Sequence, residues 1–340
     1  MINQNRIFKV GLVGAGYISP FHIRALQSLP NVQIIGIADY VTSKADEIAA
    51  TFHLPAVFPT LKAMSVKRPD VVHVLTPPSS HLNVTLEAIA MGCHVLVEKP
   101  VATDVLSCDK ITAAAEAKGV VVGVNHSLLC DPFVCQTLEA VRQGRIGEIV
   151  SVDYLRSSDY PPYGGGTLPV HYREGGYPFR DIGVHALYLM EAFLGGIEHV
   201  SATFAAKGGK EGDSNLFYDE WQAVVRCQRG MGHIGLSWNV KPMQNVLIVQ
   251  GRRGILRADL FSMAVTCKRN TPLPKSIERV ANAMGEARQT LVQVPKKRVW
   301  VFEGKDQAVS RVTDACGWIL QESCKWIASR WFPRGRQGRS

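Results

Sequence analysis

The sequence predicts an α/β protein in two parts: a parallel sheet covered by helices, then an α/β domain built on a mainly antiparallel sheet. Three observations predict it. Apolar runs of strand length alternate with helical segments up to about residue 125. The first run closes on Gly14-Ala15-Gly16. Beyond residue 125 long runs alternate apolar and polar residues instead.

Each element follows from its pattern. Residues 8–13 (FKVGLV) form a mostly apolar strand, and a helix opens near Ile18 with Ile23, Leu26 and Leu29 among its apolar positions. A second strand, 32–38, ends at Asp39, and 43–50 reads as a short helix. The strand at 71–75 runs into Thr76-Pro77-Pro78 and a helix over 81–90. The strand at 94–97 closes on Glu98-Lys99-Pro100, followed by an Ala-rich helix over 104–117 and a fifth strand over 120–124. Strands that are apolar almost throughout imply a sheet buried on both faces. A helix over 131–141 then leads to alternating strands at 149–155, 221–227 and 245–250. Arg229-Gly230 and Arg252-Arg253-Gly254 read as hairpin turns. A helix over 181–193 lies between these strands, and a last one, roughly 305–330, is able to pack back on the first domain. The expected domains are 1–125 and 126–330, with a basic tail over 331–340.

Composition bounds the function. The chain has 340 residues, enough for two cores, with 46% hydrophobic and 20% charged residues. No run of 18 apolar residues exists, so no membrane helix and no membrane partner are expected. Met1 to Lys9 carries no apolar signal core, which makes the cytoplasm the default location. The 8 cysteines include no CxxC pair; structural zinc is not suggested, and most are expected as buried thiols. Of the net charge of +9, part sits at Arg330, Arg334, Arg336 and Arg339. That charge fits either attraction of an anionic partner or a solvated terminus. No nucleic-acid motif accompanies it, so no nucleic-acid partner is expected.

Gly14 permits a tight turn after the first strand, and Gly16 lets the backbone approach a pyrophosphate held by helix-terminal N–H groups. Alone, such a loop is as readily a tight turn. Here it follows a buried strand and opens a helix, and Asp39 ends the next strand 25 residues after Gly14. A carboxylate there accepts from the adenosine ribose hydroxyls and disfavours a 2′-phosphate. Tyr40 follows, where an Arg would have held that phosphate. NAD is therefore expected, with NADP the lesser alternative. The third loop position is Ser19 instead of Gly, a departure that should still allow close helix–sheet packing. Ala15, Tyr17 and Ile18 complete the expected cofactor loop, and His81 and Asn125 are placed on the cofactor side.

The glycine loop, Asp39, Thr76-Pro77, Glu98-Lys99-Pro100 and Asp181-Ile182-Gly183-Val184-His185 occur in one order. Together they resemble the glucose-fructose oxidoreductase / inositol dehydrogenase (MocA-like) family, from Lys9 to at least Trp238. The resemblance implies a Rossmann domain followed by a large open, mainly antiparallel sheet, with dimers or tetramers formed through that sheet. It implies that Lys99 faces the substrate beside the nicotinamide, that Asp181 and His185 complete a catalytic group, and that Thr76, Pro77 and Glu98 serve the cofactor. It also implies a sugar, nucleotide sugar or cyclitol as substrate, although some members are non-catalytic NAD(P)-binding sensors or regulators.

The residues support part of this directly. Lys99 follows a strand at the carboxyl edge of a parallel sheet, where ligands bind, and Pro100 restricts it. Asp181 and His185 are four apart, one helical turn, which also suits an N-cap acid and an ordinary helix histidine. Alcohol oxidation needs a base and stabilisation of alkoxide charge, while the cofactor takes the hydride. His185 is the expected base, Asp181 either orients it or binds a neighbouring substrate hydroxyl, and Lys99 is the donor to the reacting oxygen; no metal is called for. Between 159 and 180 a polar, aromatic and Gly-rich segment offers Tyr163, His171, Tyr172, Arg173, Tyr177 and Arg180 to the substrate. His126 is a further candidate. Trp238 is another, able to stack on a sugar or to fill the sheet core.

Overall fold

In the computed structural model, residues 6–159, 176, 178–207 and 218–293 are described. They form two units that part between Ser127 and Leu128.

The first unit alternates strand and helix from the start: β1 (Phe8–Val13), α1 (Ser19–Gln27), β2 (Val32–Ala38), α2 (Thr42–Phe52), β3 (Val57–Phe58), α3 (Leu61–Met64), β4 (Val71–Val74), α4 (Pro78–Ala90), β5 (His94–Val97), α5 (Val105–Lys118) and β6 (Val122–Val124). All strand pairs are parallel, in the order β3-β2-β1-β4-β5-β6. Alternation along β1 shows why these strands are apolar throughout. Val10 and Leu12 pack with Ile23 and Leu26 of α1, whereas Val13 packs with Met64, Ala88 and Ile111. Both faces are therefore dry. Helix boundaries follow local chemistry. Asp104 caps α5 by accepting from Ser107 N at 2.8 Å, and Gly119 ends it in the left-handed region at φ 68°. The strand β3 and the short α3 are additions to the sequence expectation: two and four residues are too few to show a period.

The second unit starts with α6 (Pro132–Arg142), capped by Asp131, and β7 (Ile149–Ser157). Phe179–Gly183 forms a π-helical turn that passes into α7 (Val184–Leu194). Then come β8 (Ile197–Ala205), β9 (Glu220–Cys227), β10 (Gly230–Ser237), β11 (Asn245–Gly251), β12 (Gly254–Asp259), β13 (Ala264–Arg269) and α8 (Lys275–Gln293). The sheet order is β13-β12-β11-β7-β10-β9-β8; only the β7–β10 pair is parallel. One face carries the core, where Val152, Tyr154, Val225, Leu236 and Leu247 meet α6 and α7. Opposite it, Val224, Met231 and Ile255 are exposed beside Asp153 and His233, whose Nδ1 lies 2.9 Å from Asp153 Oδ1.

Three expectations change. The helix expected over 181–193 begins as a π turn, because Gly183 leaves room for the Phe179 ring: a Cβ there would lie 2.7 Å from it. Helix α8 was not anticipated, while the helix expected at 305–330 and the basic tail lie outside the described residues. Of the six described cysteines only Cys93 and Cys227 are buried, so most are not core thiols; none is disulfide-bonded. Among the described residues no helix is long and apolar enough to cross a membrane.

The reason α8 escapes a hydrophobic reading is that it turns a polar face to the sheet. Its one buried residue is Glu278. Asn282, Gln289 and Gln293 each lay a side-chain amide along the free edge of β13. Asn282 accepts from Arg269 N and donates to Arg269 O, at 3.1 and 3.0 Å. Gln289 does the same at Cys267 (2.9 and 3.3 Å), and Gln293 at Val265 (3.0 and 2.8 Å). Residues 265, 267 and 269 are the alternate positions whose N–H and C=O point outward from an edge strand. Three carboxamides thus take the place of a further strand.

Candidate active site

At the carboxyl ends of β1, β2 and β4, a cleft of about 390 Å³ is lined by Gly14, Ala15, Gly16, Asp39, Thr76 and Pro77, together with Tyr40, Lys44, Thr60 and Ser80. Gly14 has φ +109°, and a Cβ on it would meet Leu75 C and O at 2.7 Å. The turn passes so close to the end of β4 that no side chain fits. At Gly16 a Cβ would find nothing within 4 Å. Its missing side chain leaves open space in the cleft, which suits the approach of a ligand's phosphates. Ser19 is fully buried and donates to Gly16 O at 2.8 Å, so the departure from glycine at this position braces the loop. Asp39 Oδ2 accepts from Ala15 N and Oδ1 from Val41 N, both at 2.8 Å. The carboxylate is aimed across the glycine loop, and each oxygen keeps a further lone pair. Tyr17 is 70% exposed; neither it nor Ile18 lines the cleft.

Glu98-Lys99-Pro100 follows β5, with the Lys99–Pro100 bond cis and Lys99 half-buried. Behind it runs a chain of side chains. Asn125 Nδ2 donates to Glu98 Oε1 at 2.5 Å, His22 Nε2 meets the same oxygen at 2.8 Å, and His22 Nδ1 lies 3.0 Å from His73 Nδ1. Burial pushes the Glu98 carboxyl up, but the bonds from His22 and Asn125 and the nearby His22 and Lys99 outweigh it and hold the group below its usual range. Burial, then His22, pushes His73 well below the ordinary imidazole range. Burial also lowers half-buried His126, against the pull of Glu98. Among the described residues, buried Asn125 Oδ1 has no hydrogen-bond partner. The His81 side chain is turned inward, away from the cleft. It is fully buried between Pro100 O (2.8 Å from Nδ1) and Thr76 O (2.7 Å from Nε2).

In the second unit, the π turn presents Asp181, and the first turn of α7 presents His185, 8% exposed. His185 Nδ1 lies 2.6 Å from Tyr188 Oη, which accepts from Leu128 N at 3.1 Å. The donor in this contact is set by the imidazole tautomer; in the form protonated at Nδ1 the phenol oxygen accepts from both and the ring lone pair lies on Nε2. Arg156 of β7 sits with Tyr154, Asp181 and Tyr188 around it. Burial works against its charge, yet these neighbours hold the guanidinium above its usual range. Burial raises Tyr154 in turn, partly offset by Arg156.

Sequence reasoning missed Tyr188 and Arg156; a tyrosine three residues after a histidine on one helix was a readable signal, whereas Arg156 on a separate strand was not. Trp238, expected as a substrate contact, is 2% exposed and fills the core of the second unit, the other use its size allowed. Arg180 is exposed at the start of the π turn. Tyr163, His171, Tyr172, Arg173 and Tyr177 lie outside the described residues.

Residues 8–126 match the family model "Oxidoreductase family, NAD-binding Rossmann fold", and residues 135–257 match the GFO/IDH/MocA C-terminal domain. The chain is 30% identical over 204 residues to an inositol 2-dehydrogenase of Rhizobium meliloti, covering 58% of each. That is under two thirds of the relative's length. It is 31% identical over 240 residues to a dTDP-3,4-didehydro-2,6-dideoxy-alpha-D-glucose 3-reductase of Actinomadura kijaniata, covering 68% of this chain and 70% of the relative. A crystal structure of a myo-inositol dehydrogenase from Corynebacterium glutamicum shares the fold with TM-score 0.72 at 20% identity, over 98% of this chain and 90% of that one.

Proposed function

The chain belongs to the GFO/IDH/MocA family of oxidoreductases with an NAD-binding Rossmann fold, and from that premise we propose that it transfers a hydride between NAD and a secondary alcohol or ketone of a sugar, nucleotide sugar or cyclitol. The observation that carries the reading is the cleft itself: open space at Gly16 and Asp39 aimed over the loop. Bound NAD would supply the hydride acceptor or donor. Gly14, Ala15 and Gly16 would hold its phosphates by backbone N–H groups, and Asp39 its adenosine ribose. Lys99 would donate to the reacting oxygen and stabilise alkoxide charge. His185, its Nδ1 held by Tyr188, would take the hydroxyl proton at Nε2 and return it in reduction. Asp181 beside Arg156 would orient a neighbouring substrate hydroxyl. The order of motifs and the relatives named above support these roles.

Fluorescence titration with NAD and NADP, then a panel of nucleotide sugars and cyclitols, tests the reading. Expected are tighter binding of NAD than NADP and turnover of at least one polyol. Absence of NAD binding sinks it. Tight binding of both NAD and a sugar with no transfer in either direction makes the chain a sensor. A homodimer or homotetramer in the cytoplasm is part of the same proposal, supported by the exposed Val224, Met231 and Ile255 on the open sheet face. A concentration-independent monomer in sedimentation would remove the oligomer.

A further inference from the structure

We propose that His22 and His81 are positioning residues for Lys99: buried on α1 and α4, they clamp the Glu98-Lys99-Pro100 turn from its two flanks and so determine where the lysine amine sits. The inference rests on the reading of Lys99 as the catalytic lysine.

Neither histidine touches the cleft, and both are buried, at 1% and 0% exposure. A leucine would fill such a place without any polar group to satisfy. An imidazole there is stabilising only through its partners. Those partners are the residues on either side of Lys99. His22 Nε2 bonds Glu98 Oε1 at 2.8 Å, and His81 Nδ1 bonds Pro100 O at 2.8 Å.

Each clamp also reaches back to the cofactor side. His22 lies in α1, the helix that opens three residues after Gly16. His81 Nε2 reaches Thr76 O, and Thr76 lines the cleft. Both acceptors of His81 are carbonyls, and the ring nitrogen that carries the proton donates to the one it faces. Asn125 beyond β6 adds a third tether at Glu98, and His73 of β4 backs His22 from behind. Displacing the turn therefore breaks several buried hydrogen bonds at once. A lysine has a long flexible stem, and its backbone is the part a protein can hold. Placement to a fraction of an ångström is what transition-state stabilisation requires.

The test uses the full chain and the variants His22→Leu, His81→Leu and His22→Gln, the last keeping an N–H donor toward Glu98. Hydrogen exchange of the peptide spanning Lys99 should speed up by about tenfold in both leucine variants. Exchange at the Gly14–Gly16 loop should stay as in wild type. NAD affinity should change by less than about threefold, kcat should fall at least ~10-fold with substrate KM little changed, and His22→Gln should recover most of the loss. Glu98 is faced by His22, Asn125, Lys99 and His126, with His73 behind. Losing His22 removes a bond and a charge that offset burial, so the Glu98 carboxyl should titrate at higher pH in His22→Leu than in wild type.

Wild-type exchange at the turn in either leucine variant overturns the clamp, as does an unchanged kcat. If the leucine variants do not fold, His81→Asn carries the same readouts, and wild-type exchange in it overturns the proposal. If the wild-type protein turns over nothing in the substrate panel, the catalytic reading fails; exchange at the turn and NAD titration then decide the clamp by themselves.

Discussion

A single methyl group separates the roles of Gly14 and Gly16. On Gly14 it would collide with the backbone leaving β4 and sit at φ +109°. Gly14→Ala should therefore lower stability by about 1–3 kcal/mol. On Gly16 the methyl would enter open cleft, so Gly16→Ala should leave stability within ~0.5 kcal/mol of wild type. It should nevertheless weaken NAD by at least ~10-fold, since the methyl stands where phosphates approach. Urea unfolding and NAD titration of the two variants check this; equal NAD affinity in Gly16→Ala and wild type would empty the cleft of its assigned ligand. Both glycines were legible because their reason is local: a turn after a strand, before a helix. Tyr188, three residues after His185 on one helix, was readable as well; the His22–Glu98 contact was not, because the partners lie 76 residues apart.

At the scale of elements, α8 shows where periodicity misleads. Its apolar residues Ile277, Val280, Met284 and Leu291 are exposed, while its carboxamides face the sheet. Hydrophobic patterning looks for the reverse. Gln289→Leu and Gln293→Leu should each lower stability by about 1 kcal/mol, because each strands an N–H and a C=O of β13. The double variant should also scatter more light at high concentration, since an uncovered edge strand pairs with other chains. Unchanged unfolding midpoints and scattering would mean that the amides contribute nothing. The π turn before α7 is a second element that spacing alone could not show: Asp181 and His185 are four apart in sequence, but a wide turn carries the acid.

Across the whole molecule, buried imidazoles make stability depend on pH. His73 has its folded pKa pushed well below 6.5, with half-buried His94 and His126 lowered for the same leading reason, burial. Between the folded and unfolded values the unfolded chain binds more protons. Their contribution is therefore fully present above about pH 6.5 and is lost as pH falls toward the folded values, at about 1.4 kcal/mol per pH unit for each proton. Glu98, also depressed, adds its loss only below the ordinary carboxylate range. Urea midpoints should fall from pH 7 to pH 5, and His73→Gln should flatten the slope. An identical slope in that variant would exclude His73 as a source.

The sequence by itself determined the two sheets, the glycine loop, Asp39 and the Glu-Lys-Pro turn. Each rests on contacts between near neighbours in the chain or on a burial period that any window of ten residues displays. Tertiary structure alone decided which distant polar groups meet: His22 with Glu98, His81 with Pro100, and the carboxamides of α8 with β13. It also decided that Trp238 belongs to the core. Apolar residues need only be buried, and many arrangements satisfy them. A buried polar atom needs one partner at one distance and direction, and that partner exists only after distant elements have packed.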